Sequence, residues 1–190
     1  MIVVAEPDQV GADLAAGVLA CPRCGGRLRP WAYAAARRVR LLDGSTRAVR
    51  PRRARCAACR RTQVLLPGWL LPRRADAAEV IGAALVAKAN RQGWRRIATQ
   101  LGRAPGTVRR WLRAARSRQH LDWLRRRGVQ IAAQLDPDLL AALDPQPTEL
   151  ADALTALSAA VLAWRRRFAR HARPWTLIGV FTAGRLLAPS

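Results

Sequence analysis

Four cysteines in two pairs of identical spacing, Cys21-Pro22-Arg23-Cys24 and Cys56-Ala57-Ala58-Cys59, constrain this chain more than any other feature. A C-x-x-C turn brings two thiolates within reach of one ion, while its backbone N–H groups can donate to the sulfurs. Four thiolates complete a tetrahedral shell with no open position, the arrangement of a structural Zn²⁺ site. An iron–sulfur centre or a redox dithiol are the other uses that the spacing admits. Gly25-Gly26 allows a tight knuckle after the first pair. The 31 residues between Cys24 and Cys56 exceed the common separation of about 15–20. A β-hairpin turning at Asp43-Gly44 accounts for the excess. His120 and His171 are not needed as ligands and are expected to be solvated or packed on helices.

The second constraint is the stretch Trp94–Arg113, whose residues meet the demands of a helix-turn-helix in order. Ala98 is small where two helices cross, and Gly102 stands where the turn needs a positive φ. Pro105 suits the first turn of the next helix, because it lacks an N–H and its φ is preset. Ile97, Leu101, Val108 and Trp111 are expected to point inward. Arg95, Arg96, Gly106, Thr107, Arg109, Arg110 and Arg113 are left outside as the DNA-contacting set. Val80, Ile81, Ala84 and Leu85 form the apolar stripe of a preceding helix. Asp76, three residues before Glu79, is expected to cap it. The second motif helix either runs on or restarts near Ser117, to reach Arg127-Gly128.

Charge supports the same reading. The chain carries 34 basic residues against 12 acidic, a formal net charge of +22. Residues 1–74 hold 15 bases and 4 acids, residues 75–127 hold 13 and 3, and residues 128–190 hold 6 and 5. High-GC codon usage explains arginine over lysine, but not the sign of the charge or its confinement to residues 1–127. A field of this sign attracts polyanions. Between the cysteine pairs, Arg37, Arg38, Arg40, Arg47, Arg50, Arg52, Arg53 and Arg55 are placed to lie along phosphates.

The expected fold is mainly α with a small β zinc ribbon. It comprises an N-terminal arm (1–20), a four-cysteine ribbon (21–74), a trihelical helix-turn-helix domain (75–127), a Pro-rich linker (128–147) and a C-terminal helical hairpin (148–190). Thr148 is expected to cap a helix to about His171, and Pro174 to start another to about Leu187. The apolar surface of residues 148–187 is more than two short helices cover for each other, so it is expected to pack elsewhere. The options are the rest of the chain, a second copy, or a transposase or ATPase partner.

Residues 94–116 resemble the helix-turn-helix of transposase N-terminal regions and of Hin-type recombinase DNA-binding domains. The order of cysteine ribbon then helix-turn-helix, over roughly 21–116, resembles DNA-binding parts of insertion-sequence transposases. It is also similar to actinobacterial zinc-ribbon proteins associated with mobile elements. The likeness is carried by CPRCGG, CAACRRT and Trp94–Arg113, and Arg60 departs from the glycine that many ribbons place after the second knuckle. What it implies is binding of double-stranded DNA at element ends or promoters.

A transposase also needs three carboxylates on an RNase-H-like fold to hold two metal ions. Only residues 128–190 remain for such a domain, and their acids, Asp136, Asp138, Asp144, Glu149 and Asp152, crowd into the linker and one helix start. Tyr33 is the one tyrosine and lies inside the ribbon, which argues against a tyrosine nucleophile. The chain is therefore expected not to be an enzyme and to have no small-molecule substrate. An absent secretory signal and an absent apolar run of about 20 residues predict a cytoplasmic, non-membrane protein. The alternatives are an adaptor that recruits a partner through its C-terminal helices and an RNA-binding ribbon protein.

Overall fold

The computed structural model describes residues 1–141, 143–169 and 172–188. The fold is mostly helical with a smaller β portion. Its first half is built on the strands β1 (Ile2–Val4), β2 (Leu28–Tyr33), β5 (Arg52–Cys56) and β6 (Thr62–Pro67). These form one sheet in the order β1-β6-β5-β2, with β1 parallel to β6 and the other pairs antiparallel. Alternation decides its faces: Leu28, Ala54, Cys56 and Leu65 are buried, whereas Arg29, Arg53 and Arg55 point away. The helix α1 (Val10–Ala16) covers the buried face with Val10 and Leu14. Residues 1–20 are thus no separate arm. Val4, Val10 and Leu14 share one small core with Cys21 and Cys56, because so small a sheet has too little apolar area of its own.

The strands β3 (Arg37–Arg40) and β4 (Thr46–Val49) form the expected hairpin between the cysteine pairs. Gly44 turns it at φ 85°, and the Ser45 amide donates to Asp43 Oδ1 at 2.9 Å. The hairpin stands apart from the sheet and docks on the helical half, where Val39 is fully buried in the main core.

Five further helices follow α2 (Ala78–Ala89), which is buried at Ala78, Val80, Ile81, Ala84 and Leu85. They are α3 (Trp94–Gln100), α4 (Pro105–Ala114), α5 (Arg118–Leu135), α6 (Glu149–Phe168) and α7 (Pro174–Phe181), and all but α5 pack directly on α2. The helix after α4 restarts at Ser117, one of the two courses expected. Asp76 is not the cap of α2, a position held by Ala77. Its carboxylate is buried instead, with Oδ1 2.6 Å from Arg103 Nε and Oδ2 2.7 Å from the Arg40 guanidinium. Arg103 Nη2 donates in turn to the Leu41 carbonyl at 2.7 Å. One carboxylate thereby joins the hairpin to the turn between α3 and α4.

The C-terminal third departs most from expectation. Thr148 does cap α6, accepting from the Ala151 amide at 3.1 Å, and Pro174 does open α7. Both helices end early, at Phe168 and Phe181, and His171 lies outside the described residues. The main partner of α6 is α5, with α7 a smaller one. Contacts climb both helices together: Arg118 with Glu149, Arg125 with Asp152, Gly128 with Ala156, and Asp136 with Arg166 at the far end. The two helices therefore run side by side in the same direction. The connection must return along their length, about 27 Å for an 18-residue helix. The stretch Asp136–Thr148 reaches about 40 Å when extended. So the expected linker 128–147 starts inside α5 and serves as a crossover, with Leu139, Leu140 and Leu143 packed on Ala132, Ala159 and Ala163.

Gly128, read from sequence as a helix end, is the crossing point: a Cβ there would lie 2.5 Å from the backbone of Ala156. The apolar stripes of α6 and α7 are covered within the chain, since Leu154, Leu157, Val161, Leu177, Ile178, Leu186 and Leu187 enter the core of α2. Much of the expected apolar surface is therefore packed within the chain, while Leu162 and Phe168 stay exposed on α6.

Two substitutions test this architecture. Asp76→Ala strands the Arg103 guanidinium in the interior and should cost about 3–5 kcal/mol in urea unfolding; a loss below about 0.5 kcal/mol would show the node to be idle. Gly128→Ala should cost about 1–3 kcal/mol, although alanine is the better helix former. A gain in stability would contradict the close approach of α5 and α6.

Candidate metal centre and nucleic-acid interface

Both C-x-x-C segments fold into the same knuckle. In the first, the Gly25 amide donates to the Cys21 carbonyl at 2.9 Å and the Cys21 amide to the Gly26 carbonyl at 2.9 Å. In the second, Arg60 N–H donates to the Cys56 carbonyl at 3.1 Å and Cys56 N–H to the Arg61 carbonyl at 2.9 Å. The residue after each second cysteine is left-handed, Gly25 at φ 69° and Arg60 at φ 62°. Arg60 thus adopts the glycine conformation, and the turn does not change.

The two knuckles face each other across the sheet edge. All four Sγ atoms lie within 4.8 Å of one another, with Cys21–Cys59 at 3.7 Å and Cys24–Cys56 at 3.5 Å. A tetrahedral ion with bonds of about 2.3 Å has sulfur–sulfur edges of about 3.8 Å, so the quartet fits one metal ion. Gly26 closes the cradle, since a Cβ there would stand 3.0 Å from Cys56 Sγ. The four residues can hold one ion through their sulfurs alone.

The electrostatics favour deprotonation unevenly. The Arg23 amide, followed by that of Cys24, stabilises the Cys21 thiolate and lowers its pKa against the effect of burial. At Cys56 the Cys59 amide dominates and holds the thiol at about 7. Cys59 accepts from the Arg61 amide, yet burial and the three neighbouring thiols push it up to about 11. His120 takes no part. It stacks on Trp123 with ring centres 5.7 Å apart, and its burial lowers its pKa.

The helices α3 and α4 meet through Ile97, Ala98, Val108 and Trp111, all buried, with Leu101 half-buried. Gly102 turns the chain at φ 59°, and Pro105 occupies the first turn of α4. Arg95, Arg96, Gly106, Arg109, Arg110 and Arg113 are exposed, and Thr107 is half-buried. Among the described residues none of these five guanidiniums pairs with a carboxylate. Opposite Val108 and Trp111, the spacing 106, 110, 113 puts Gly106, Arg110 and Arg113 on one outer face. Arg109 leans aside, 5.9 Å from the Trp94 ring, which Arg95 also covers at 4.5 Å. Arg110 Nη2 reaches Thr107 Oγ1 at 3.3 Å.

Acids gather elsewhere. Glu149, Asp152, Asp122 and Asp136 pair with Arg118, Arg125, Arg126 and Arg166 along α5 and α6. Sequence reasoning misses Arg103, the one arginine of the α3–α4 turn, which is buried on Asp76. The only signal for that pair is that Asp76 is a rare acid in a basic segment.

Residues 21–111 match the model of a family described as a domain of unknown function, DUF6431. The matched stretch runs from the first cysteine to Trp111, so it takes in both knuckles, the hairpin and the packed faces of α3 and α4. No curated protein and no solved structure matches the chain. No helix among the described residues is long and apolar enough to cross a membrane.

Metal binding should release protons. Below pH 7 those of Cys56 and Cys59 must both leave, so log affinity should rise by about two or more per pH unit there. Above pH 7 the Cys56 contribution fades and the slope should fall. Titration with a metal-sensitive dye gives the slope, and a pH-independent affinity would exclude thiolate ligation. Chelation should also lower the unfolding temperature of the native chain, and Cys56→Ser should reproduce that loss.

Proposed function

We propose that this chain is a non-catalytic, sequence-specific binder of double-stranded DNA, in which a structural Zn²⁺ ribbon buttresses a helix-turn-helix. The observation that carries the reading is the outer face of α4, where Gly106, Arg110 and Arg113 stand free of carboxylates opposite a fully packed inner face. A helix so presented can enter a major groove, where arginine pairs bidentately with guanine. Gly106, near the helix start, lets the backbone approach the bases. Arg95, Arg96 and Arg109 flank that face and suit phosphates, which position the protein without reading sequence. Thr107 orients Arg110.

Zinc is the metal proposed, because four thiolates at tetrahedral edges and no open position match its structural sites. The resemblance to mobile-element DNA-binding regions makes a transposition accessory factor or a transcription regulator the biological role proposed. The acids Asp136, Glu149 and Asp152, each held by an arginine, are given no catalytic step. Self-association or a protein partner at residues 148–187 stays a secondary reading, since most of their apolar side chains are packed within the chain.

Selection of bound duplexes from a random library, followed by footprinting, tests the proposal directly; recovery of no common motif would overturn it. Arg110→Ala and Arg113→Ala should each cost about 1–3 kcal/mol on the selected site and relax one position. Arg95→Ala and Arg96→Ala should weaken all duplexes alike. Six or more phosphate contacts give a slope of about −5 or steeper in log affinity against log salt. A flat dependence would leave the charge without a role in binding.

A further inference from the structure

The strand β2 carries a bulge between Pro30 and Ala32. Before it, Arg29 pairs with Arg55 and Pro30 with Ala54; after it, Ala32 pairs with Arg53 and Tyr33 with Arg52. Paired residues share a face of the sheet. The extra residue, Trp31, therefore moves Tyr33 off the outer face of Arg29 and Arg55 and onto the face of Arg52, whose partner on β6 is Leu65. The two aromatic rings end on opposite sides. Trp31 lies under Arg55, 4.6 Å from its guanidinium carbon. Tyr33 faces Arg50 and Arg52, each 5.3 Å from its ring centre.

On its side Tyr33 borders a groove of about 380 Å³ between the start of α1, β4 and Trp69. Arg47 stands 5.3 Å over the Trp69 ring at the same groove. The floor is apolar, with Leu65 and Pro67, and Asp8 is the one carboxylate on the wall. Two aromatic faces and three guanidiniums thus converge on a space that suits one nucleotide-sized unit. An apolar ligand would leave three arginines idle, and a simple anion would leave the rings idle. A planar base bearing phosphates uses both. Tyr33 is 46% exposed, so its ring is an open platform rather than the wall of a closed pocket. A solvent-facing ring with arginines on either side, at Arg50 and Arg52, suits a passing strand better than a lone nucleotide.

We propose that this groove is a second nucleic-acid site, which takes an unpaired nucleotide of a single strand with its base on Tyr33 and its phosphates on Arg47, Arg50 and Arg52. The site shares no residue with α3 and α4, so it stands or falls separately from the duplex reading. Such a site would hold a strand that is opened or frayed beside a duplex bound by α4.

The test is fluorescence anisotropy of the full-length, metal-loaded chain with a labelled twelve-nucleotide oligothymidylate. Tyr33→Leu should weaken binding about ten- to a hundredfold, Tyr33→Phe should bind like the parent, and Arg50→Ala should weaken both the oligothymidylate and an abasic strand. Trp31→Leu, an equal loss of aromatic surface on the opposite face, should have little effect. Unchanged unfolding temperatures show that the exposed substitutions leave the fold intact. Equal affinity of the parent for the abasic strand and the oligothymidylate would overturn base stacking. Competition by thymidine monophosphate as effective as that of the oligothymidylate would overturn the strand as the ligand. Arg113→Ala should weaken the selected duplex and spare the oligothymidylate. Loss of oligothymidylate binding in that variant to the same degree would place the strand on α4 and overturn the second site.

Discussion

The carboxylate of Asp76 is the contact on which the relation between the two halves depends. It is buried, and it accepts from Arg103 in the α3–α4 turn and from Arg40 at the end of β3. Two backbone bonds run beside it, from Arg40 to Ala75 at 2.8 Å and from Ala77 to Arg40 at 3.0 Å. A buried charge demands a partner, and a guanidinium with several donors leaves few geometries open. The node therefore does more than add stability: it sets the angle at which the hairpin meets the turn before α4.

Charge segregation follows from the same economy of acids. Of the few carboxylates in the chain, Asp76 is consumed at the junction and several others line α5 and α6, where each meets an arginine. The surfaces of the sheet, the hairpin and α3–α4 are left with free guanidiniums. The helices α6 and α7 pack on α2, with α5 against α6, and give a small three-helix unit the apolar area it lacks.

Several local features are legible in the amino-acid sequence alone. Both knuckles, the hairpin at Asp43-Gly44, the turn at Gly102, the start of α4 at Pro105 and the cap at Thr148 all depend on residues within a few positions of one another. The helical pairing is not legible in the same way. Thr148 and Pro174 mark where helices begin, but nothing in a periodic stripe says which stripe will face it. The parallel course of α5 and α6 turns on Gly128, whose missing Cβ admits the backbone of Ala156. In the sequence, the same glycine next to Arg127 looks like a helix end.

Short-range geometry and composition set the inventory: a four-cysteine cluster, two short helices with a glycine turn, and a basic surplus confined to the first two thirds. Both survive without knowledge of neighbours. Tertiary structure decided the rest. It made Asp76 a bridge instead of a cap, turned an expected arm into an edge strand, and set Arg110 and Arg113 outward while Arg109 leaned on Trp94. It also used one bulge to send Trp31 and Tyr33 to opposite faces. These outcomes rest on contacts between residues far apart in the chain, where burial and close packing, not local preference, select which face meets which.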